Sequence, residues 1–403
     1  MGCKPSNLTI TRSLAFGAGP DEFSFILEGV RLSPSQRATF YHDHSLDIAH
    51  HVSIGANPDT IKVCFGSGES DWRISPSQLL SNGSYPLHVL APRGCPDAIT
   101  AFLELFAKPL PYDCHGFTPM HTLALSRNTW SVKSLGSFVE FYGSQCLFSE
   151  VSVKSLSSSS NTPLQTVRDV SQYIRQCTVT PLHWALLTGN LQMARALIDA
   201  GSLKAIVNGR MSVSMLHFAA FSGCTKKFSS PNGNSNDEDN EVSHLMLVHP
   251  LLKYLFSTFK SRKVSGLPIV DGYGRTPLHY FMASQSEVLD LSSLTVDCVE
   301  VSSNVIKKTR SSNISNKLVV ISLICELFVS AGIDPYKTDH AGKTAFHYAP
   351  SSLSQNVIQH LGLRDGLLKT PRIISTQRPS ARASAELMSP RDSDSGCCGC
   401  TIM

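Results

Sequence analysis

The chain has 403 residues, 42% of them apolar and 16% charged, with a formal charge of +4. That apolar content supports a real core, and the positive charge is spread too thinly to mark a nucleic-acid partner. "LAFGAGP" is too short for the apolar region of a secretory signal. The longest apolar run, "KLVVISLICELFVSAG", carries Glu326 and falls short of the roughly 18–20 residues of a membrane span, so the body is expected to be soluble and cytosolic.

Twelve cysteines form two groups. Cys64, Cys95, Cys114, Cys146, Cys177, Cys224, Cys298 and Cys325 are scattered without any CxxC pair, which predicts reduced thiols packed mostly as small apolar groups. Cys3, Cys397, Cys398 and Cys400 sit at the two ends.

The chain starts "MGCKPS", which meets the N-myristoylation pattern: Gly2 follows Met, Ser6 stands at the required position, and Cys3 is available for palmitate. Residues 1–83 otherwise give mixed signals, with "FSFILEGVRL" and "IKVCF" readable as strands. "YHDHSLDIAHH" brings together His42, Asp43, His44, His50 and His51, with His44 and His51 on one helical face. A divalent metal there would make the chain a metal-dependent enzyme, the alternative reading. No carboxylate partner or second half-site accompanies the cluster, and no metal or cofactor is expected. "FGSGESD" lacks a third glycine for a phosphate loop.

Six segments then align on one pattern: "YPLHVLA", "TPMHTLA", "TPLHWAL", "SMLHFAA", "TPLHYFM" and "TAFHYAP". Their histidines, His88, His121, His183, His217, His279 and His347, are separated by 33, 62, 34, 62 and 68 residues. Two intervals equal one unit, and three equal one unit plus about thirty residues. Asp113 to Pro119 and Asp271 to Pro277 both read D-x-x-G-x-T-P, and Asp339 to Thr344 fits until Ala345 replaces the proline. "LIDAGS" and "VSAGIDP" close two units, and "SIGANPD" at 53–59 reads as the end of a degenerate earlier one.

Over roughly residues 84–363 this resembles the ankyrin repeat. The resemblance implies a mostly α solenoid of helix-turn-helix units joined by turn or hairpin loops. Asp and Gly suit the turn; Thr118, Thr180, Ser214, Thr276 and Thr344 are placed to cap exposed helix amides; and a following proline loses no hydrogen bond. Tyr85 stands in the capping place of the first clear unit, and Pro350 cuts into the helix of the last. Insertions are expected near 127–175, 224–243 and 286–316, where closure cost grows slowly with length. "SHLMLVHPLLKYLFSTF" reads as a delayed second helix, and "KLVVISLICELFVSAG" resumes the pattern after the third insertion.

The repeat histidines are structural on this reading, because each occupies a fixed place beside a core residue. "AGKT" at 341–344 is a turn, with Lys337 where a phosphate loop needs glycine. "NDEDNE" at 236–241 lacks the glycine and final glutamate of a calcium loop. By analogy with the family, partners would meet the turn tips and adjacent helix faces, including His115, Phe117, Tyr273, Arg275, His340 and Lys343, where aromatic and Arg residues suit interface anchors.

Residues 364–403 are expected to be a disordered tail rich in Ser, Arg and Pro. Its 32-residue linker, 365–396, would average roughly 30 Å end to end, and Ser380, Ser384 and Ser389 lie in short contexts that kinases use. The chain finishes "CCGCTIM". Cys400-Thr401-Ile402-Met403 matches the C-a-a-X prenylation signal with a terminal Met that favours farnesyl, and the end resembles the tails of Ras-type GTPases, in which neighbouring cysteines are palmitoylated. One chain, at about 0.8 kcal/mol per buried methylene, anchors only marginally. The linker carries five basic and four acidic residues, and Asp392 and Asp394 beside the cysteines oppose anionic lipid. The second hold must be another lipid, on Cys397 or Cys398. The expected function is a non-enzymatic scaffold for other proteins, lipid-anchored on the cytosolic face of a eukaryotic membrane. A soluble adaptor with coincidental terminal motifs is the further alternative.

Overall fold

The computed structural model describes residues 58–363, apart from 66–75, 78, 81–82, 93–95, 106–109, 127–128, 153–169, 205–206, 209–212, 223–236, 263–269 and 288–313. The chain divides into Met1–Lys369 and Thr370–Met403, and the second unit lies wholly outside the described residues.

In chain order come α1 (Pro58–Phe65), α2 (Pro86–Leu90), α3 (Pro96–Leu105), α4 (Pro119–Leu125), α5 (Thr129–Tyr142) and a 3-10 turn at Ser144–Phe148. The strand β1 (Val151–Ser152), α6 (Val170–Arg175), β2 (Thr178–Val179), α7 (Pro181–Leu187), α8 (Leu191–Asp199), β3 (Val207–Asn208) and β4 (Val213–Ser214) follow. The series ends with α9 (Met215–Phe221), α10 (Asp237–Ser261), α11 (Pro277–Ala283), α12 (Ile314–Ser330), a 3-10 turn at Ala345–Tyr348 and α13 (Ser351–His360).

These helices pack in two layers. The inner layer runs α2, α4, α7, α9, α11 and the 345–348 turn, each against the next; the outer layer runs α1, α3, α5, α8, α10, α12 and α13. One apolar core lies between them, from Ile61 through Trp184, Phe218 and Phe281 to Ile358. The expected mostly α ankyrin-type solenoid is therefore the fold observed. Cys146, Cys177 and Cys325 pack in the core as expected, whereas the Cys114 thiol is exposed.

Several expectations shift. "IKVCF" is not a strand but the body of α1, because Pro58 and Asp59 open a helix whose Ile61 is buried against α3. Tertiary packing overrides the strand preference of Ile and Val. Pro58 and Asp59 of "SIGANPD" open α1, so the outer layer begins before residue 84, while residues 53–57 of that segment lie outside the described residues. α10 starts at Asp237, so the acidic run opens the delayed second helix. Pro350 does limit the last inner helix, to a single 3-10 turn.

The inner helices share one construction. The N-cap backbone N–H of Tyr85, Thr118, Thr180, Ser214, Thr276 and Thr344 points at Nδ1 of the histidine three residues on, at 3.1–3.3 Å. The N-cap hydroxyl, where present, lies 2.8–3.0 Å from the same nitrogen. The Thr180 hydroxyl also accepts from the His183 amide at 3.4 Å. Beside the expected hydroxyl cap stands a hydroxyl-to-imidazole bond that the sequence reading did not include. Tyr85 is tolerated because the backbone half of the arrangement needs no hydroxyl.

With Nδ1 accepting, the proton resides on Nε2. That N–H crosses to the carbonyl preceding the next N-cap: His88 to Phe117 at 2.8 Å, and His121 to Val179, His217 to Arg275 and His279 to Lys343, each at 3.1 Å. His183 is the exception among the internal repeats. Its Nε2 is buried without a partner, and its ring packs on Phe218 at 4.8 Å. At the opposite ends of the inner helices, Ser126 donates to the Pro92 carbonyl at 2.6 Å and Asn190 Nδ2 donates to Ala124 and Ser126 carbonyls, while Asn190 Oδ1 caps α8 through the Met193 amide.

Burial pushes the imidazoles of His121, His183, His217 and His279 down to about 4 from 6.5, and lowers His88 as well. The unfolded chain therefore binds more protons than the folded one between pH 6.5 and 4, and the histidine contribution to stability is complete above that window and lost as pH falls through it. The thermal midpoint, followed by helical circular dichroism, should drop steeply from pH 6.5 to 4. A flat midpoint over this range would contradict the neutral-imidazole assignment.

Candidate interaction surface

Between consecutive repeats the chain turns back in a finger. Three fingers are built alike. Asp113 Oδ1 accepts from the amides of His115 and Phe117 at 2.9 and 2.7 Å, and Asp271 Oδ1 from Tyr273 and Arg275, both at 2.8 Å. Asp339 Oδ1 accepts from Ala341 and Lys343 at 2.9 and 2.8 Å. The glycine three residues after each Asp donates to its carbonyl, as in Gly274 to Asp271 at 2.9 Å. Gly274 has φ +78°, and a Cβ there would come within 2.9 Å of the His340 ring, so conformation and space both require glycine. Neighbouring fingers are joined by the Cys114 amide to Gly83 and the His340 amide to Tyr273, both at 2.9 Å.

The six expected contact residues separate on this frame. His340 and Lys343 are exposed and His115 and Tyr273 half-buried, with Tyr273 and His340 rings 6.2 Å apart and Lys343 Nζ over the Tyr348 ring at 5.6 Å. Phe117 and Arg275 are not at the surface: they are 3% and 1% exposed. In these two fingers the fourth residue after the Asp is buried against the inner layer. Phe117 fills that space against Trp184 at 5.5 Å, and Arg275 fills it as an ion pair.

Arg275 Nε donates to Asp271 Oδ2 at 2.9 Å, and the Tyr280 hydroxyl donates to the same oxygen at 2.8 Å. The guanidinium carbon lies 4.3, 5.0 and 5.6 Å from the ring centres of Tyr173, Tyr273 and Tyr280. Burial and the Asp271 carboxylate both hold the Tyr280 hydroxyl protonated. Tyr348 repeats the theme by donating to Asp339 Oδ2.

Sequence reasoning missed Tyr173 and Glu287, which belong to this cluster. Tyr173 comes from α6, inside the first insertion. Glu287, just after α11, accepts the Val170 and Ser171 amides on its two carboxylate oxygens at 3.2 and 2.6 Å. Neither residue has a repeat signature. The first insertion is carried within a finger, because β1 pairs antiparallel with β2, Val151 opposite Val179. The second and third separate an inner helix from its outer partner.

Among the described residues no three His, Cys, Asp or Glu side chains stand together as metal ligands. The cluster of His42, Asp43, His44, His50 and His51 lies outside the described residues, as do Gly2, Cys3, Cys397, Cys398 and Cys400. No described helix is long and apolar enough to cross a membrane.

No match to the chain was found among curated proteins. Among solved structures it is similar to the human ASB11 ankyrin repeat domain, with 15% identity and a TM-score of 0.37 over 71% of this chain and 87% of that one. The ankyrin repeat domain of Bcl-3, a member of the IkappaB family, gives 14% and 0.35 over 82% and 99%. An ankyrin repeat domain from Acinetobacter baumannii AYE gives 15% and 0.35 over 70% and 99%. These likenesses are weak, and the repeated geometry carries the fold assignment by itself. The ankyrin repeat family model matches residues 179–209, which run from the last residue of β2 through α7 and α8 to β3, and the same unit recurs through the described residues as an ankyrin-repeat fold.

Proposed function

We propose that the chain is a non-enzymatic ankyrin-repeat scaffold or adaptor that binds other proteins, held by lipids on the cytosolic face of a membrane. The observation that carries the binding half is the finger ladder. Three turns of like hydrogen bonding hold different side chains beside the inner layer, with His115, Tyr273, His340 and Lys343 reaching solvent. Side chains held by such a frame lose little freedom on binding, which favours affinity. Fold alone names no partner.

Replacing His340→Ala together with Lys343→Ala should leave the stability to unfolding nearly unchanged, within about 0.5 kcal/mol for exposed positions. The same pair should weaken binding of the partner recovered with the wild-type chain by about tenfold or more. Unchanged binding would remove these tips from the contact surface.

The membrane half rests on sequence: Cys400 for a prenyl group, Cys397 or Cys398 and Cys3 for palmitate, and Gly2 for myristate. In a eukaryotic host the intact mass should carry lipid additions at these residues, and Cys400→Ser should move the protein from the membrane to the soluble fraction. Membrane association that survives Cys400→Ser would count against the tail as the anchor.

A further inference from the structure

The surface formed by Tyr273, Arg275 and Glu287 is filled by a segment that no repeat requires. α6 belongs to the surplus between His121 and His183, where the interval is 62 residues instead of 33 or 34. It lies against the finger that precedes α11 and against Glu287 that follows it, not only its own repeat. Glu287 holds the Val170 and Ser171 amides, and Tyr173 covers the Arg275 guanidinium at 4.3 Å while meeting the Tyr273 ring edge-on at 5.6 Å. Val170 and Ile174 are buried beside them. Arg275 Nη2, in a side chain 1% exposed, has no hydrogen-bond acceptor.

We propose that this surface is a docking site for a short helix of a partner protein and that α6 is a tethered occupant which such a helix displaces. The proposal rests on the interaction reading above and deepens it. A helix of six residues does not hold its shape alone in water, so the surface templates α6. Tethering supplies an effective concentration of about millimolar, so even a weak ligand fills the surface. Both anchors recognise chemistry beyond apolar packing. A carboxylate that accepts two successive amides selects a helix N-terminus, and the guanidinium face selects an aromatic ring one turn further on. The resident ligand is also imperfect, because it leaves Arg275 Nη2 unpaired. A partner helix that brings an oxygen acceptor beside its aromatic ring satisfies that donor and gains over α6.

Ser171→Asp provides the test, because it sets a second carboxylate beside Glu287. In hydrogen exchange on the full chain, amides of 170–175 should exchange about tenfold faster or more, while those of α7 and α9 stay unchanged. A fluorescent peptide of residues 168–177 should bind the Ser171→Asp chain, and the wild-type chain about tenfold more weakly, since the tethered copy competes. Adding Glu287→Gln to the receptor should abolish that binding. Tyr173→Ala should likewise open the site; if that variant unfolds, the Ser171→Asp measurements decide. The proposal is overturned if 170–175 exchange only together with the whole array, or if the peptide binds neither chain. The finger-tip variant tests the interaction reading separately, so the two failures are distinguishable.

Discussion

The array depends on a single bond repeated at His88, His121, His217 and His279, though not at His183: a neutral imidazole that accepts from its own N-cap amide and donates to the carbonyl before the next N-cap. Each end is polar and buried, so leaving either unmade costs about 1–3 kcal/mol. The bond therefore fixes two things at once, the start of one inner helix and the position of the next finger. It also limits where extra residues are accommodated. His121 still reaches Val179 and His279 still reaches Lys343, 58 and 64 residues away, because the surplus chain leaves between the bonded points and returns to them. An insertion inside the finger or between inner and outer helices preserves the ladder. One between the N-cap and its histidine would break it.

The same finger position is solved in two chemistries. Phe117 fills it by packing on Trp184. Arg275 fills it with a charge, and burying an ion pair stabilises only when the remaining polar atoms are satisfied. The Asp271 carboxylate meets that demand with four donors: the amides of Tyr273 and Arg275, Arg275 Nε and the Tyr280 hydroxyl. The guanidinium meets it only in part. Three tyrosine rings cover the cation, yet Nη2 goes unpaired, and Tyr173 reaches it from another repeat. The apolar solution is closed and inert, whereas the ionic one retains an unspent donor.

How much of this was legible in the sequence follows from the range of each interaction. The inner helices, their N-caps and the three Asp turns were legible because every group concerned lies within nine residues of its partner. Pro350 and the delayed α10 were legible for the same reason. α1 was not, since Ile and Val in "IKVCF" favour a strand locally and only burial against α3 makes the segment helical. Asn190 escaped notice because its anchoring partners, Ala124 and Ser126, are 66 and 64 residues away. The burial of Phe117 and Arg275 was illegible too. In the last finger the equivalent Lys343 is exposed, so the motif alone does not settle which way that side chain faces.

α6 marks the limit of such reading. "VSQYIR" has no capping Thr, no turn glycine and no repeat histidine, and its N-terminus is held by a carboxylate 117 residues from Val170. Nothing local distinguishes it from loop. Its fold is a property of the surface it covers, so its stability is set by the contacts of that surface and not by its own propensity. An element of this kind can leave without disturbing the histidine ladder, because none of the described ladder bonds passes through it. On the proposed reading, the histidine ladder holds the array together while α6 can be exchanged. The variable part of recognition would then lie on the insertion and the finger tips instead of the repeat core.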